Sequence, residues 1–120
     1  MVSKVQERRF AVASNFSRGE QWLDQILILK PLHTDLLTTS IGINEATITH
    51  VLEVGDAGAA IDHGEQPIFW SVVRGQLAKA TDQTPWIAGR LVKVGNAFRL
   101  DSLTPVEEDQ VQQALEALDL

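Results

Sequence analysis

The sequence predicts an α+β domain in which N-terminal helices and a C-terminal amphipathic helix pack on an antiparallel sheet. Three observations carry this prediction. Branched and aromatic residues alternate with small or polar ones over 45–54, 86–94 and 97–103, as in strands that bury one face. Residues 20–29 place apolar side chains at helical spacing. Residues 104–118 combine a helix-start motif with an apolar stripe.

Length and composition limit the class of protein to which this chain can belong. The chain has 120 residues, enough for one core, so we expect residues 1–120 to form a single α+β domain. Hydrophobic residues make up 44% and charged residues 22%, which is typical of soluble globular proteins. The chain has no cysteine, which excludes disulfides and thiolate chemistry. No apolar run matches a membrane span or a secretory signal, so we expect a cytoplasmic protein without a membrane partner.

The N-terminal quarter is expected to hold a strand followed by helices. Residues 10–16 alternate in step with a strand. The spacing of Ser17 and Glu20 matches a capping box and predicts a helix that Pro31 ends. A shorter helix is expected over 35–40, closed by the glycine that follows.

The segment 45–54 has two interpretations. Its alternation and its threonines favour a strand. Residues 34–54 also show the apolar and turn positions of a helix-turn-helix, which would make this segment a DNA-recognition helix. That helix would carry no lysine or arginine, although phosphate contacts supply most non-specific affinity for DNA. We therefore expect a strand, and the formal charge of −6 also argues against nucleic acid as a partner.

The segment 55–66 is predicted to be a loop because it holds three glycines among acidic residues and a histidine. Asp62, His63 and Glu65 are of the residue types that bind metals. Three neighbouring ligands without a second histidine nearby have poor spacing for zinc. We therefore expect no metal and no other cofactor.

The segment 68–94 carries the candidate ligand site. It is predicted to form two strands, 68–77 and 86–94, joined by a polar turn. Arg74 and Arg90 each lie on a strand face otherwise made of apolar residues. A guanidinium in apolar surroundings is costly unless it is paired, and its planar fork matches a carboxylate.

Two hypotheses follow for these arginines. In the first, Arg74 and Arg90 together bind the carboxylate of a small ligand, and Trp86 forms a wall against its ring. In the second, each arginine is paired with one of the sixteen acidic residues, and the chain is a non-enzymatic interaction or regulatory module. None of the three histidines has a sequence neighbour that marks it as a general base, so the sequence leaves open whether the protein is an enzyme.

The same segment resembles part of a known family, the bacterial chorismate pyruvate-lyases, which release pyruvate from chorismate to form 4-hydroxybenzoate. The resemblance lies in the central hairpin of that family, with Pro31 to Leu37 as a looser upstream match, and is carried by the run Arg74-x-x-Leu77…Asp82-x-x-Pro85-Trp86-Ile87-Ala88-Gly89-Arg90-x-Val92. It implies that Arg74 binds a substrate carboxylate. The family chain is longer and has a glutamate in a late strand that this sequence does not match. The resemblance therefore implies either an incomplete lyase site or a relative that binds small molecules without catalysis.

The C-terminal part is expected to add a third strand over 97–103 and then a helix. Thr104 and Glu107 have capping-box spacing, with a proline in the first turn. The apolar stripe either packs on the sheet or forms the interface of a homodimer. That stripe consists of Val111, Ala114, Leu115 and Leu118.

Overall fold

A computed structural model describes residues 20–55 and 58–118. Within these residues, a five-stranded sheet has the strand order β3-β2-β1-β4-β5, and every neighbouring pair is antiparallel. The predicted α+β class and antiparallel sheet are therefore confirmed. The elements are β1 (Ile26–Thr39), β2 (Gly42–Val54), β3 (Ala60–Ile68), α1 (Ser71–Leu77), β4 (Ile87–Val94), β5 (Ala97–Asp101) and α2 (Pro105–Ala117).

Both faces of the sheet carry an apolar cluster, and each cluster includes one helix. Successive side chains of a strand point to opposite faces, and neighbouring residues of β1 accordingly belong to different clusters. The helices therefore lie on opposite faces of the sheet. The α1 side consists of Trp22, Leu27, Leu29, Val51, Ile68, Val73, Leu77, Leu91 and Leu100. The α2 side consists of Ile26, Ile28, Leu52, Val54, Val111 and Ala114.

The predicted N-terminal helices are not borne out: among the described residues of their range only Glu20 and Gln21 are helical, and β1 occupies most of the rest. Residues 26–29 are all apolar and buried because the sheet is covered on both faces there. Such a run has no alternation, so its pattern does not distinguish a strand from a helix. Pro31 lies inside β1, next to a bulge, and does not end the element. The predicted strand 10–16 and the capping residue Ser17 lie outside the described residues.

The predicted strand 45–54 is confirmed, and the helix-turn-helix over 34–54 is excluded. β2 pairs with β1 along its whole length and with β3 from Thr47 onward. The predicted loop 55–66 is wrong over much of its range, because β3 begins at Ala60. Gly64, with a φ of +70°, follows the extra residue of a β-bulge in this edge strand, so this glycine marks a bulge and not a loop.

The predicted hairpin over 68–94 is only half correct. Its second strand is β4, but most of its first strand is the helix α1. Val73 and Leu77 are buried against the sheet at the i, i+4 spacing of a helix. Over seven residues, this spacing also fits the even steps of a strand, so the apolar pattern did not separate the two structures.

The C-terminal strand and helix lie where they were predicted. The Thr104 hydroxyl accepts a hydrogen bond from the backbone N–H of Glu107, whose carboxylate accepts one from the backbone N–H of Thr104. Val111 and Ala114 are buried in the cluster on the α2 side. A homodimer contact through this helix stays a prediction. Among the described residues, no helix has the length and apolar character needed to cross a membrane.

Gln76 of α1 covers the outer edge of β5. Its side-chain amide donates to the carbonyl oxygen of Leu100 at 2.8 Å and accepts from the N–H of the same residue at 2.9 Å. These backbone groups lie on the last strand of the sheet, where a further strand would otherwise pair. This helix therefore covers a sheet face, and its Gln76 hinders strand addition at Leu100 of β5.

Candidate functional site

A cavity of about 480 Å³ lies between α1, the loop that follows it and the bulged part of β1. Its volume falls in the range of about 300–1,000 Å³ that is typical of small-molecule sites. Its lining is mixed, with hydroxyl and charged groups beside apolar ones. The lining residues are Lys30, Pro31, Leu32, His33, Thr34, Thr47, Arg74, Leu77, Ala78, Ala80, Thr81, Asp82 and Pro85.

The bulge in β1 explains why the cavity forms at this position. β4 pairs with β1 only as far as the pair Leu29–Ile87, and Pro31 has no N–H with which to continue a ladder. The register of β1 against β2 then shifts between Pro31 and His33, with Leu32 as the extra residue. The sheet therefore opens beside β1, and the loop after α1 forms the other wall of the cavity.

Arg74 is held at the cavity by two contacts with β2. Its Nε donates to Thr47 Oγ1 at 2.9 Å, and its Nη2 lies 2.9 Å from Glu45 Oε1. Nη1 is the guanidinium nitrogen that neither contact uses. The Arg74 side chain is 22% exposed and the Glu45 side chain 55% exposed, so the ion pair itself lies near solvent. This geometry holds the guanidinium in one orientation at the cavity lining.

Arg74 is the cationic group that the structure orients at this cavity. Lys30 is also a lining residue, but its Nζ lies 5.8 Å from the centroid of the Trp86 ring, which packs on the α2 side. Asp82 in the lining and Glu45 beside Arg74 are acidic and offset the charge of the guanidinium. An anionic ligand would therefore depend on direct hydrogen bonds from Arg74 and not on a net positive charge of the lining.

The structure does not bring Arg90 together with Arg74. Arg90 donates from Nη1 to the backbone oxygen of Asp24 and from Nη2 to the carboxylate of Glu107 on α2. Arg74 belongs to the helix on the opposite face of the sheet. The expectation that both arginines reach one ligand assumed two paired strands, and it fails because α1 is a helix.

Trp86 also lies apart from the cavity that Arg74 lines. It packs against the cluster on the α2 side, and its ring centroid is 5.4 Å from that of His50. Lys30 is a lining residue of the cavity, but its Nζ lies on the side of Trp86, 5.8 Å from the centroid of that ring. Lys30 was not among the site residues predicted from the sequence.

Two histidine–carboxylate pairs join β2 to β3. His50 Nε2 lies 2.7 Å from Asp62 Oδ1, and His63 Nε2 lies 2.9 Å from Glu53 Oε1. The ring of His63 also contacts Trp22, whose indole belongs to the cluster on the α1 side. Neither pair lines the cavity. Within residues 20–55 and 58–118, no group of three histidine or acidic side chains is arranged to hold a metal ion.

Acid titration of Asp62 gives a testable prediction for this part of the fold. The N–H of Gly64 donates to Asp62, and this bond, together with His50, holds the pKa of Asp62 below its usual value. Such a carboxylate stabilises the fold above its unfolded-state pKa, near 4, and this contribution is lost as the pH falls through the lower folded-state pKa. The difference in free energy of unfolding between wild type and Asp62→Asn should therefore shrink below about pH 4.

Urea unfolding at a series of pH values measures this difference. Glu65→Gln, at an exposed position of the same strand, is the matched control, and it should change the pH dependence less. A difference between wild type and Asp62→Asn that stays constant from neutral to acid pH would contradict the assignment.

Comparisons of the chain with protein-family models, with curated proteins and with solved structures find no match. The resemblance to chorismate pyruvate-lyases therefore stays a prediction. In the structure, the run that carries it spans the end of α1, the loop after it and β4. The observations that bear on function are accordingly the cavity, its charges and the exposed surfaces of this α+β fold.

Proposed function

We propose that this protein binds a small carboxylate ligand in the cavity between α1 and β1, with Arg74 as the main contact. The observation that carries this proposal is the position of the Arg74 guanidinium, which lines the cavity and is fixed by Thr47 and Glu45. A guanidinium presents several donors in one plane and therefore suits a carboxylate. Because the group is already oriented, a ligand needs to immobilise it less on binding.

The rest of the lining suits a ligand with one anionic end and an apolar body. Thr34 and Thr81 add hydroxyl groups beside the Arg74 guanidinium. Leu77 and Pro85 supply apolar surface for a ring. An aromatic or cyclic carboxylate matches this combination, and 4-hydroxybenzoate and chorismate are the ligands that the sequence resemblance implies.

We propose that the cavity binds its ligand without catalysing a reaction. The two histidine–carboxylate pairs do not line the cavity. The titratable lining residues His33 and Asp82 have no side-chain partner among the described residues that would orient them for proton transfer. A general base must lie within hydrogen-bond reach of the proton it removes. The proposed role is therefore that of a ligand-binding domain.

Substitution of Arg74 tests the proposal. Arg74→Ala should weaken binding of 4-hydroxybenzoate or chorismate at least about tenfold, because it removes a charge-assisted contact. Arg74→Lys should restore part of the affinity, since it keeps the charge and loses the planar fork. Calorimetric titration of each ligand into wild type and the variants gives these affinities.

Arg90→Ala is the matched control, because Arg90 lies on the opposite face of the sheet and is paired with Glu107. It should leave the ligand affinity unchanged. Thermal melts of each variant check that the fold persists. The proposal fails if wild type binds neither ligand at millimolar concentration, or if the alanine variants of Arg74 and Arg90 lose the same affinity.

A further inference from the structure

The hairpin of β1 and β2 extends past the rest of the sheet. β4 pairs with β1 only up to Leu29, and β3 pairs with β2 only from Thr47. Between these points, residues 33–46 form a ribbon whose two strands, within the described chain, pair only with each other. We call these residues the arm. Both outer edges of the arm have no strand partner, and open strand edges of this kind are templates for pairing with another chain.

Side-chain hydrogen bonds hold the tip of the arm. The Thr39 hydroxyl donates to the carbonyl oxygen of Gly42 at 2.9 Å, and the Asn44 amide donates to the Thr39 hydroxyl at 3.0 Å. Gly42 has a φ of +114°, a conformation that side-chain-bearing residues rarely adopt. These hydrogen bonds therefore hold the tip of the arm in one conformation, and its exposed side chains have defined positions.

The arm exposes large apolar side chains. Leu36, Ile41 and Ile43 are 67%, 73% and 70% exposed. Leu36 pairs with Glu45, and Ile43 pairs with Thr38, so the two apolar side chains are diagonal neighbours on one face of the ribbon. Apolar side chains grouped beside open strand edges mark a surface for a partner, whereas single exposed apolar residues are normal.

We propose that the arm binds an extended segment of a partner protein in which basic and apolar side chains alternate, by adding that segment as a strand. On the β1 edge of the arm, the N–H of Leu36 is already bonded to the Asp35 carboxylate at 2.8 Å. Strand addition along the β2 edge satisfies the open backbone groups there, and alternate side chains of the segment then contact Ile43, with Leu36 beside it on the same face.

Charge selects the partner. Residues 31–48 include two acidic side chains and no lysine or arginine. Glu45 is already paired with Arg74, so the selecting charge is the exposed carboxylate of Asp35.

The same charges disfavour other occupants of the arm. The arm of a second copy would bring no lysine or arginine to Asp35, and an anionic membrane surface would repel this carboxylate. The other described edges of the sheet are less open to a partner. Gln76 covers the β5 edge, and β3 carries a bulge and a proline, both of which hinder strand pairing. The arm is therefore the described edge best suited to a basic extended segment.

Designed peptides test this inference. The probe is a short fluorescein-labelled peptide that alternates lysine with valine, and its matched control alternates glutamate with valine. Fluorescence anisotropy should show at least tenfold tighter binding of the lysine peptide to wild type. A double variant with Leu36→Asn and Ile43→Asn keeps the charge of the arm and should weaken this binding at least about tenfold. Val94→Asn, at an exposed strand position outside the arm, should leave binding unchanged.

Three results would overturn the inference. Equal binding of the lysine peptide to wild type and to the double variant would show that charge alone attracts it. Equal binding of a lysine peptide methylated at every backbone amide would exclude strand addition, because that peptide has no N–H groups to donate. A wild-type dimer in sedimentation velocity that the double variant abolishes would assign the arm to a second copy. Leu36 and Ile43 do not line the ligand cavity, so these results leave the proposed ligand site untouched.

Discussion

Replacement of Leu27 by alanine is expected to lower the free energy of unfolding by about 3–5 kcal/mol. Leu27 is fully buried in β1, the middle strand of the sheet, and it pairs with Glu53 on one side and Gly89 on the other. The shorter side chain would leave a cavity in the cluster on the α1 side. Because β1 is paired with β2 on one side and with β4 on the other, the backbone around Leu27 has little freedom to move into the space left by the lost atoms.

Urea unfolding monitored by tryptophan fluorescence measures this effect. Leu36→Ala is the matched control, since it is the same substitution in the same strand at an exposed position. It should change the free energy of unfolding by only about 0.5 kcal/mol. Equal losses for the two variants would mean that the arm is buried or that Leu27 is not in the core, and either result would contradict the described fold.

Replacement of Gly89 by alanine is expected to cost about 1–3 kcal/mol of stability. A Cβ on Gly89 would lie 2.8 Å from the Cβ of Leu100 and 2.9 Å from the carbonyl oxygen of Asp101. Neither atom is the far end of a flexible side chain, so β5 would have to move away from β4. The glycine is required here by the close approach of the two strands, and not by its backbone conformation.

Gly75→Ala is the matched control, and it is expected to raise the stability where Gly89→Ala lowers it. Gly75 lies within α1, and a Cβ built there meets no heavy atom within 4 Å beyond its chain neighbours and the backbone of its own helix. Alanine should stabilise the helix by about 0.5–1 kcal/mol because it restricts the unfolded chain more than glycine does. Thermal melts of the two variants should therefore shift in opposite directions. A shift in the same direction would contradict the tight β4–β5 contact.

The sequence predicted elements well where one face of a strand or helix is exposed. β2 and β4 alternate over part of their length, and α2 begins at a capping box that the structure contains. β1 was missed because residues 26–29 are covered on both faces and show no period of two. α1 was missed because a single i, i+4 pair, Val73 and Leu77, also fits the even spacing of a strand.

The candidate site was predicted only in part. Arg74 stood out because its neighbours in the sequence are apolar, and the structure places it at a cavity. Its partners Glu45 and Thr47 come from β2. These contacts depend on the helical state of α1, which has no signal in the local sequence. Both arginines also meet the second hypothesis, because Glu45 pairs with Arg74 and Glu107 pairs with Arg90. Arg74 differs from Arg90 in that it lines the cavity.

The most direct test of the proposed function is a titration of 4-hydroxybenzoate into isotope-labelled protein, followed by amide chemical shifts. Binding in the cavity predicts saturable shift changes at Lys30 and residues 32–34, 74–78 and 80–82, which line it or adjoin its lining. Residues around Arg90 and Glu107 on the opposite face should remain unchanged. Changes confined to that opposite face, or no saturable change at millimolar ligand, would contradict the claim that this cavity binds a small carboxylate.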